Sequence, residues 1–259
     1  GPALAGRIMG KRVVYHYHEN AFVKGTFYKV LATIMQKLAH KIICVSEYQA
    51  SFLQQKKCVI TVPNALPQNF VNRLTPNFQA AFKRKHILML GSLKLYKSPL
   101  EFIELTKRLP PFIFVLVIND TKENINIFIK EYKINISKNL TIYPQQNDVV
   151  PFYNQTSLVL NLSNKKQFVE TFGLTALEAM SAGLPVIVPT EGGIAEMVVD
   201  GENGYKIDVQ NLNQIAECIK TILSDETLYM ELAQNALAYS KRFSEAKMVN
   251  SIEMILNRK

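Results

Sequence analysis

The chain has 259 residues, is 48% hydrophobic and carries a net charge of +9, so it has enough apolar material for one large core or two modest ones. No apolar run approaches the ~20 residues of a membrane-spanning helix, and no cleavable leader pattern is expected at the start. Cys44, Cys58 and Cys218 are scattered, without the Cys-x-x-Cys spacing of zinc or redox sites; they read as small core residues of a reducing compartment, with the cytoplasm as the expected location.

The charge is uneven. Residues 1–85 hold thirteen Lys or Arg and two Glu, a net +11, whereas the remainder holds seventeen basic and nineteen acidic residues, a net −2. Such asymmetry points to an anionic partner for the first third, or to a solvated basic face with no partner. Nucleic acid is disfavoured, because no helix-turn-helix, zinc or RNA-binding motif occurs.

In chain order, Val13 to His18 reads as a short strand, and Phe22 to His40 as an amphipathic basic helix. That helix could lie on anionic lipid with Phe22, Phe27 and Leu31 at the interface, or pack the same face on the core. Strand Lys41 to Val45, helix Glu47 to Gln54 capped by Ser46, and strand Val59 to Val62 follow. The pattern breaks from Leu66 to Lys85, around Pro67 and Pro76, which marks a linker over 66–85.

A second alternation then begins. Strands are predicted at His86–Gly91, Phe112–Ile118, Leu140–Tyr143, Leu158–Leu162 and Val186–Val188. Helices are predicted at Pro99–Arg108, Glu123–Tyr132, Val149–Tyr153, Thr175–Ser181 and Ile194–Val199, with long helices at the C-terminus. Apolar strands alternating with amphipathic helices give an α/β class with parallel sheets covered on both faces. Neither half carries the Gly-x-Gly-x-x-Gly fingerprint, so NAD and FAD are not expected.

The most informative stretch runs from Glu170 to Glu178, two carboxylates with seven residues between them at the start of a helix. An apolar strand and Glu191-Gly192-Gly193 come next. Helix N-termini and glycine turns offer free N–H groups to phosphate oxygens, and carboxylates accept from sugar hydroxyls. A nucleotide-sugar needs both chemistries.

Residues 86–243 resemble the donor-binding half of retaining glycosyltransferases of family 4, which have the GT-B fold of two facing Rossmann-like domains. The matching pieces are Gly91-Ser92-Leu93 with Lys97-Ser98, Tyr143-Pro144-Gln145, Asp148 with Pro151-Phe152-Tyr153, Asn161-Leu162-Ser163, the Glu170/Glu178 block, Gly192 to Glu196 and Asp200 to Tyr205. Val13 to Glu19, Ile43 to Glu47 and Val62-Pro63-Asn64 resemble the second half of the family's acceptor domain. The resemblance implies a partial N-terminal domain over 1–65, a donor domain over 86–243 and a C-terminal helix over 244–259. Family members open with further strand–helix units. The chain is therefore expected to be a fragment, to take the rest from a partner, or to have lost half of the acceptor domain.

By the same resemblance, Glu170 holds donor sugar hydroxyls or faces the reacting carbon, and Glu178 holds the ribose. Phe172, Gly173, Leu174 and Thr175 aim N–H groups at the diphosphate, and Lys97 neutralises it. Ser92 stands where most members have an arginine, with Lys94 as the available substitute. Gly192 and Gly193 give the backbone close access to sugar or phosphate, or simply make a tight turn. Tyr143, Pro144 and Gln145 receive the base at the strand ends. His18 lies near the transferred sugar, whereas His16 is read as pointing to the opposite face in a structural role. The expected catalytic set is His18, Glu170 and Lys97. No Asp-x-Asp motif occurs, so neither a metal nor an organic cofactor is expected. The expected donor is a UDP- or GDP-hexose and the expected acceptor a surface glycan or lipid-linked sugar. The rival expectation is a nucleotide-sugar-binding module without turnover of its own.

Overall fold

Residues 2–18, 26–54 and 56–257 are described by a computed structural model. Glu19, Phe22 and the side chain of Phe27 lie outside the described residues. The first part contains α1 (Pro2–Ile8), β1 (Val14–Tyr17), α2 (Thr26–Leu38), β2 (Lys41–Cys44), α3 (Glu47–Ser51) and β3 (Val59–Thr61). The strands form a parallel sheet in the order β1-β2-β3, with Tyr17 opposite Cys44 and Ile43 opposite Ile60. The α3 cap is the expected one: Ser46 accepts from the Gln49 N–H at 3.1 Å.

Two short helices, α4 (Gln68–Val71) and α5 (Phe78–Arg84), lead into the second part. They correct the expected linker. Leu66, Leu74 and Ala81 are buried in the larger core, the Phe82 ring lies 5.3 Å from that of Tyr229, and Asn77 caps α5. Apolar residues at 78, 81 and 82 make one face of a two-turn helix, too short for the periodicity to announce itself among prolines.

The second part holds β4 (His86–Gly91), α6 (Pro99–Arg108), β5 (Ile113–Ile118), α7 (Lys122–Glu131), β6 (Leu140–Tyr143), α8 (Val150–Asn154) and β7 (Leu158–Leu160). These are followed by α9 (Leu174–Ser181), β8 (Val186–Val188), α10 (Gly193–Glu196), β9 (Gly204–Lys206), α11 (Leu212–Ser224) and α12 (Glu226–Ser240). Six parallel strands run in the order β6-β5-β4-β7-β8-β9. Every residue of β7 and β8 is buried, as continuous apolar strands require when helices cover both faces. The last helix, α13 (Glu245–Asn257), returns to the smaller sheet, where Ile255 is buried with Ile43 and Val62. Residues 244–257 thus pack as part of the first lobe.

The strand order places a topological switch between β4 and β7. β4 stays paired with β5 as far as Gly91 opposite Ile118, but its pairing with β7 ends at Leu88 opposite Val159. A crevice therefore opens at the C-terminal ends of these two strands, where ligands of open parallel sheets bind.

Ser98, between the loop after β4 and α6, is fully buried with φ of 57° and ψ of 45°, and its hydroxyl has no hydrogen-bond partner. Left-handed backbone costs a non-glycine residue about 1–2 kcal/mol, and a buried unsatisfied hydroxyl costs roughly as much again. Part of that gain is offset by the extra unfolded-state entropy of glycine. Ser98→Gly is expected to stabilise the chain by about 1–2 kcal/mol, read as a higher denaturant midpoint at constant slope.

Candidate functional site

The crevice holds a cavity of about 480 Å³ lined by Met89 to Ser92, Lys97, Asn119, Asn161 to Ser163, Glu170 to Thr175 and, from the first lobe, Asn64. Lys97 sits in a single 3-10 turn, Leu95–Lys97, just beyond β4. Its ammonium forms an ion pair with Glu170 Oε1, and Ser163 Oγ donates to the same oxygen at 2.9 Å. The Lys97 and Glu170 side chains are 24% and 15% exposed, so water screens this pair only in part. The Lys97 ammonium also lies 4.5 Å from the centre of the Phe168 ring, itself stacked on Tyr96 at 4.8 Å.

The N-terminus of α9 borders the same cavity as this cation. Gly173 precedes the helix at φ of 92°, and an added Cβ would lie 2.4 Å from Ile194 Cγ1. Only glycine fits. With no side chain at the cap, the first turn is uncapped, and Leu174 and Thr175 border the cavity. Free N–H groups, the positive end of the helix dipole and an ammonium lining one cavity make an anion site. Asn161 orders the floor: its Oδ1 accepts from Ser163 N at 3.1 Å, and its Nδ2 donates to Thr175 Oγ1 at 3.3 Å.

The expected residues do not all converge here. Ser92, Lys97, Glu170, Phe172, Gly173, Leu174 and Thr175 line the cavity. Glu178 lies one turn deeper, where its Oε2 accepts from the Tyr153 hydroxyl at 2.5 Å; burial raises its pKa, and the Tyr153 hydrogen bond works against that rise. Tyr143 ends β6, and Pro144 and Gln145 follow it, two strands from the crevice. The Tyr143 ring is half exposed, edge-on to Phe152 at 5.0 Å.

Gly192 and Gly193 stand behind the cavity wall. Gly193 N donates to Glu170 O at 2.8 Å, and an added Cβ on either residue would meet the 170–171 carbonyls at 2.5 Å or less. Their close approach is to the chain's own Glu170 loop. His18 lies at the end of β1, with its ring 4.0 Å from that of His16. This corrects the placing of His16 on the opposite face: residues two apart along a strand share a face. The His16 pKa is lowered, by desolvation first and by His18 second.

Asn64, Asn119, Asn161 and Ser163 were assigned no role in the site from the sequence. A signal was present for three of them: Asn161-Leu162-Ser163, just beyond the apolar β7, and Val62-Pro63-Asn64 were among the pieces that carry the resemblance. Among the described residues no group of three or more His, Cys, Asp or Glu is placed to hold a metal ion, and no described helix is long and apolar enough to cross a membrane.

Comparison with known proteins agrees with this fold. HepE of Anabaena, crystallised with UDP and glucose, superposes with a TM-score of 0.83 at 21% identity, over 100% of this chain and 74% of HepE. The shared architecture is the α/β GT-B fold, also seen in the sucrose-phosphate synthase of Thermosynechococcus elongatus at a TM-score of 0.77 and 19% identity, over 98% of this chain and 70% of that one. In sequence, N-acetyl-alpha-D-glucosaminyl L-malate synthase of Bacillus anthracis is 30% identical over 54% of this chain and 36% of its own length. An uncharacterized glycosyltransferase of Haemophilus influenzae is 23% identical over 95% of this chain and 69% of its own. Three matches to curated relatives span only 10%, 24% and 36% of the relative's length. The family model for glycosyl transferases group 1 matches residues 73–239, well over half of the chain; the chain belongs to that family.

Proposed function

We propose that this chain binds a nucleoside-diphosphate hexose in the β4/β7 crevice and transfers the hexose, with retention, to a surface glycan or lipid-linked acceptor. The observation that carries the reading is that Lys97, the uncapped α9 N-terminus and Glu170 line one cavity. The diphosphate bridges the ammonium and the helix N–H groups, and Glu170 accepts from hexose hydroxyls. Glu178, below the cavity floor, is assigned to the ribose, and Tyr143, Pro144 and Gln145 to the base. As the bond from C1 to the phosphate oxygen breaks, the acceptor oxygen bonds C1 on the same face. Its proton passes to the departing phosphate, with His18 on the acceptor side.

The leaving charge is met by Lys97, the cation among the cavity-lining residues, and by the helix terminus. The reading assigns no role to a metal or an organic cofactor. UDP or GDP is the proposed nucleotide; a neighbour crystallised with UDP favours UDP. The proposed site of action is the cytoplasmic face of an anionic membrane. Leu4, Ile8 and Met9 around α1 and Val30, Leu31 and Ile34 on α2 are exposed apolar residues among Arg7, Lys11, Lys29 and Lys37. A second reading, donor binding without turnover, is favoured by one observation: Ser92 supplies no second cation to the leaving group.

A thermal-shift panel of UDP, GDP, ADP and CMP sugars tests donor binding, with UDP or GDP sugars expected to raise the melting temperature. Glu178→Gln supplies the control. Gln keeps an acceptor for Tyr153 but loses the charge for a sugar diol, so affinity should fall about 10- to 100-fold. The ionised Glu178 of the folded chain costs stability once pH exceeds the ordinary carboxylate value of 4.5, and the cost grows as pH rises through the raised folded value. The ligand-free variant should therefore melt higher than the parent at neutral pH. Equal affinity of both proteins for UDP and GDP sugars would contradict the assignment.

A further inference from the structure

The two lobes meet at an unusual cap. Helix α3 of the first lobe has its Ser46 hydroxyl committed to the Gln49 N–H. The N–H groups of Glu47 and Tyr48 are instead taken by a carboxylate from the other lobe: Glu196 Oε2 accepts from Glu47 N at 3.1 Å, and Oε1 accepts from Tyr48 N. The Tyr48 hydroxyl donates to Glu191 Oε1 at 2.9 Å. Glu196 is itself held from behind, its carbonyl accepting from the Tyr239 hydroxyl at 3.1 Å. A carboxylate at a helix N-terminus is favoured by both hydrogen bonding and the dipole.

This cap lies directly behind the donor cavity. Gly193, three residues before Glu196 in α10, touches both lobes: an added Cβ would sit 2.8 Å from Ser46 Cβ and 1.9 Å from Thr171 O. Its N–H holds Glu170 O at 2.8 Å. One short helix thus grips α3 with its last side chain and the Glu170 loop with its first backbone amide. Neither contact can shift without moving the other.

We propose that Glu196 is a positioning residue whose cap on α3 couples apposition of the two lobes to the placement of Glu170. The proposal rests on the donor-site reading for its kinetic consequence but not for its structural one. When the lobes are apposed, α10 is seated and Glu170 is aimed into the cavity. When they part, α10 is released on one side and the Glu170 loop loosens.

Amide hydrogen exchange on the full chain, with Glu196→Ala and the isosteric Glu196→Gln, tests this. In Glu196→Ala, protection over residues 46–52 should fall roughly three- to thirtyfold, the range for loss of a helix cap. Protection over 168–173 should fall with it, and Glu196→Gln should retain part of both. Transfer kcat should drop in step while the affinity for UDP alone stays within about twofold, because the diphosphate wall is untouched. Unchanged exchange over 168–173, with 46–52 deprotected, overturns the coupling; so does unchanged exchange over 46–52. Should Glu196→Ala fail to fold, Glu196→Gln is read the same way. If the parent transfers no sugar, the donor reading fails separately, and the exchange result still decides the coupling.

Discussion

Lys97→Met is expected to lower the transfer rate by about 10²–10³-fold, the usual loss when a single group that stabilises developing charge is removed. Lys97 is the cation among the described cavity-lining residues, so no other described lining side chain inherits its role. Methionine keeps an unbranched apolar stem against Phe168, which the lysine stem and ammonium approach at present. The substitution therefore tests charge more than packing. It also strips Glu170 of its ion-pair partner and leaves the Ser163 hydroxyl as its remaining donor. A wholly buried carboxylate would lose about 3–5 kcal/mol in that event. Residual exposure of both side chains reduces the expected stability loss to about 1–2 kcal/mol.

The two losses separate experimentally. A donor-binding defect should appear in calorimetry with UDP alone, whereas a Glu170 defect requires the sugar. Glu170→Gln should thus lose affinity for the UDP-sugar but little for UDP. In the double variant, the stability losses should be less than additive, because the groups act as a pair. A Lys97→Met protein that turns over at the parent rate would remove the phosphate assignment.

The pair also has a consequence for binding. Lys97 is engaged by Glu170, so under the proposed reading an incoming diphosphate has to draw it away before Glu170 can accept from the hexose. On that reading nucleotide and sugar recognition share one ammonium, and the Glu170 carboxylate becomes available only after the phosphates have arrived.

How much of this was legible from the sequence depended on whether the signal was local. The α6 boundaries, Pro99–Arg108, coincide with the expectation because proline marks the first turn and a 3.6-residue apolar stripe follows. Strands β4, β5, β7 and β8 were legible as apolar runs bounded by polar turns. β9 was missed: three residues beginning with Gly204 look like a turn, and only its pairing with β8 makes a strand. The Glu170–Thr175 wall could be named in advance because its residues are contiguous. Asn64 could not be placed there, since only the apposition of the lobes carries it to the cavity. Gly192 and Gly193 show a different limit. Paired glycines announce a close approach, but the sequence does not say to what, and here the partner is the Glu170 loop itself.

Gly193→Ala is expected to be the most damaging glycine-to-alanine change among the described residues. The added Cβ would stand 1.9 Å from Thr171 O and 2.6 Å from its carbonyl carbon, with Ser46 Cβ at 2.8 Å on another side. Two of these neighbours are backbone atoms, so no rotamer change relieves the contact. Withdrawing α10 would break the Gly193 N–H bond to Glu170 O and loosen the Glu196 cap on α3. Ordinary overpacking costs about 1–3 kcal/mol; a clash against fixed backbone on one side, with an interface on another, belongs at or above about 3 kcal/mol. Gly201→Ala provides the comparison. Gly201 has φ of 76° but nothing within 4 Å of an added Cβ, so it suffers left-handed strain alone, about 1–2 kcal/mol. Denaturant titration should therefore rank Gly193→Ala well below Gly201→Ala in stability, and only Gly193→Ala should also lose affinity for the donor sugar. Equal losses in the two variants would show that the 170–171 loop yields freely, and that the glycine pair does not set the position of Glu170.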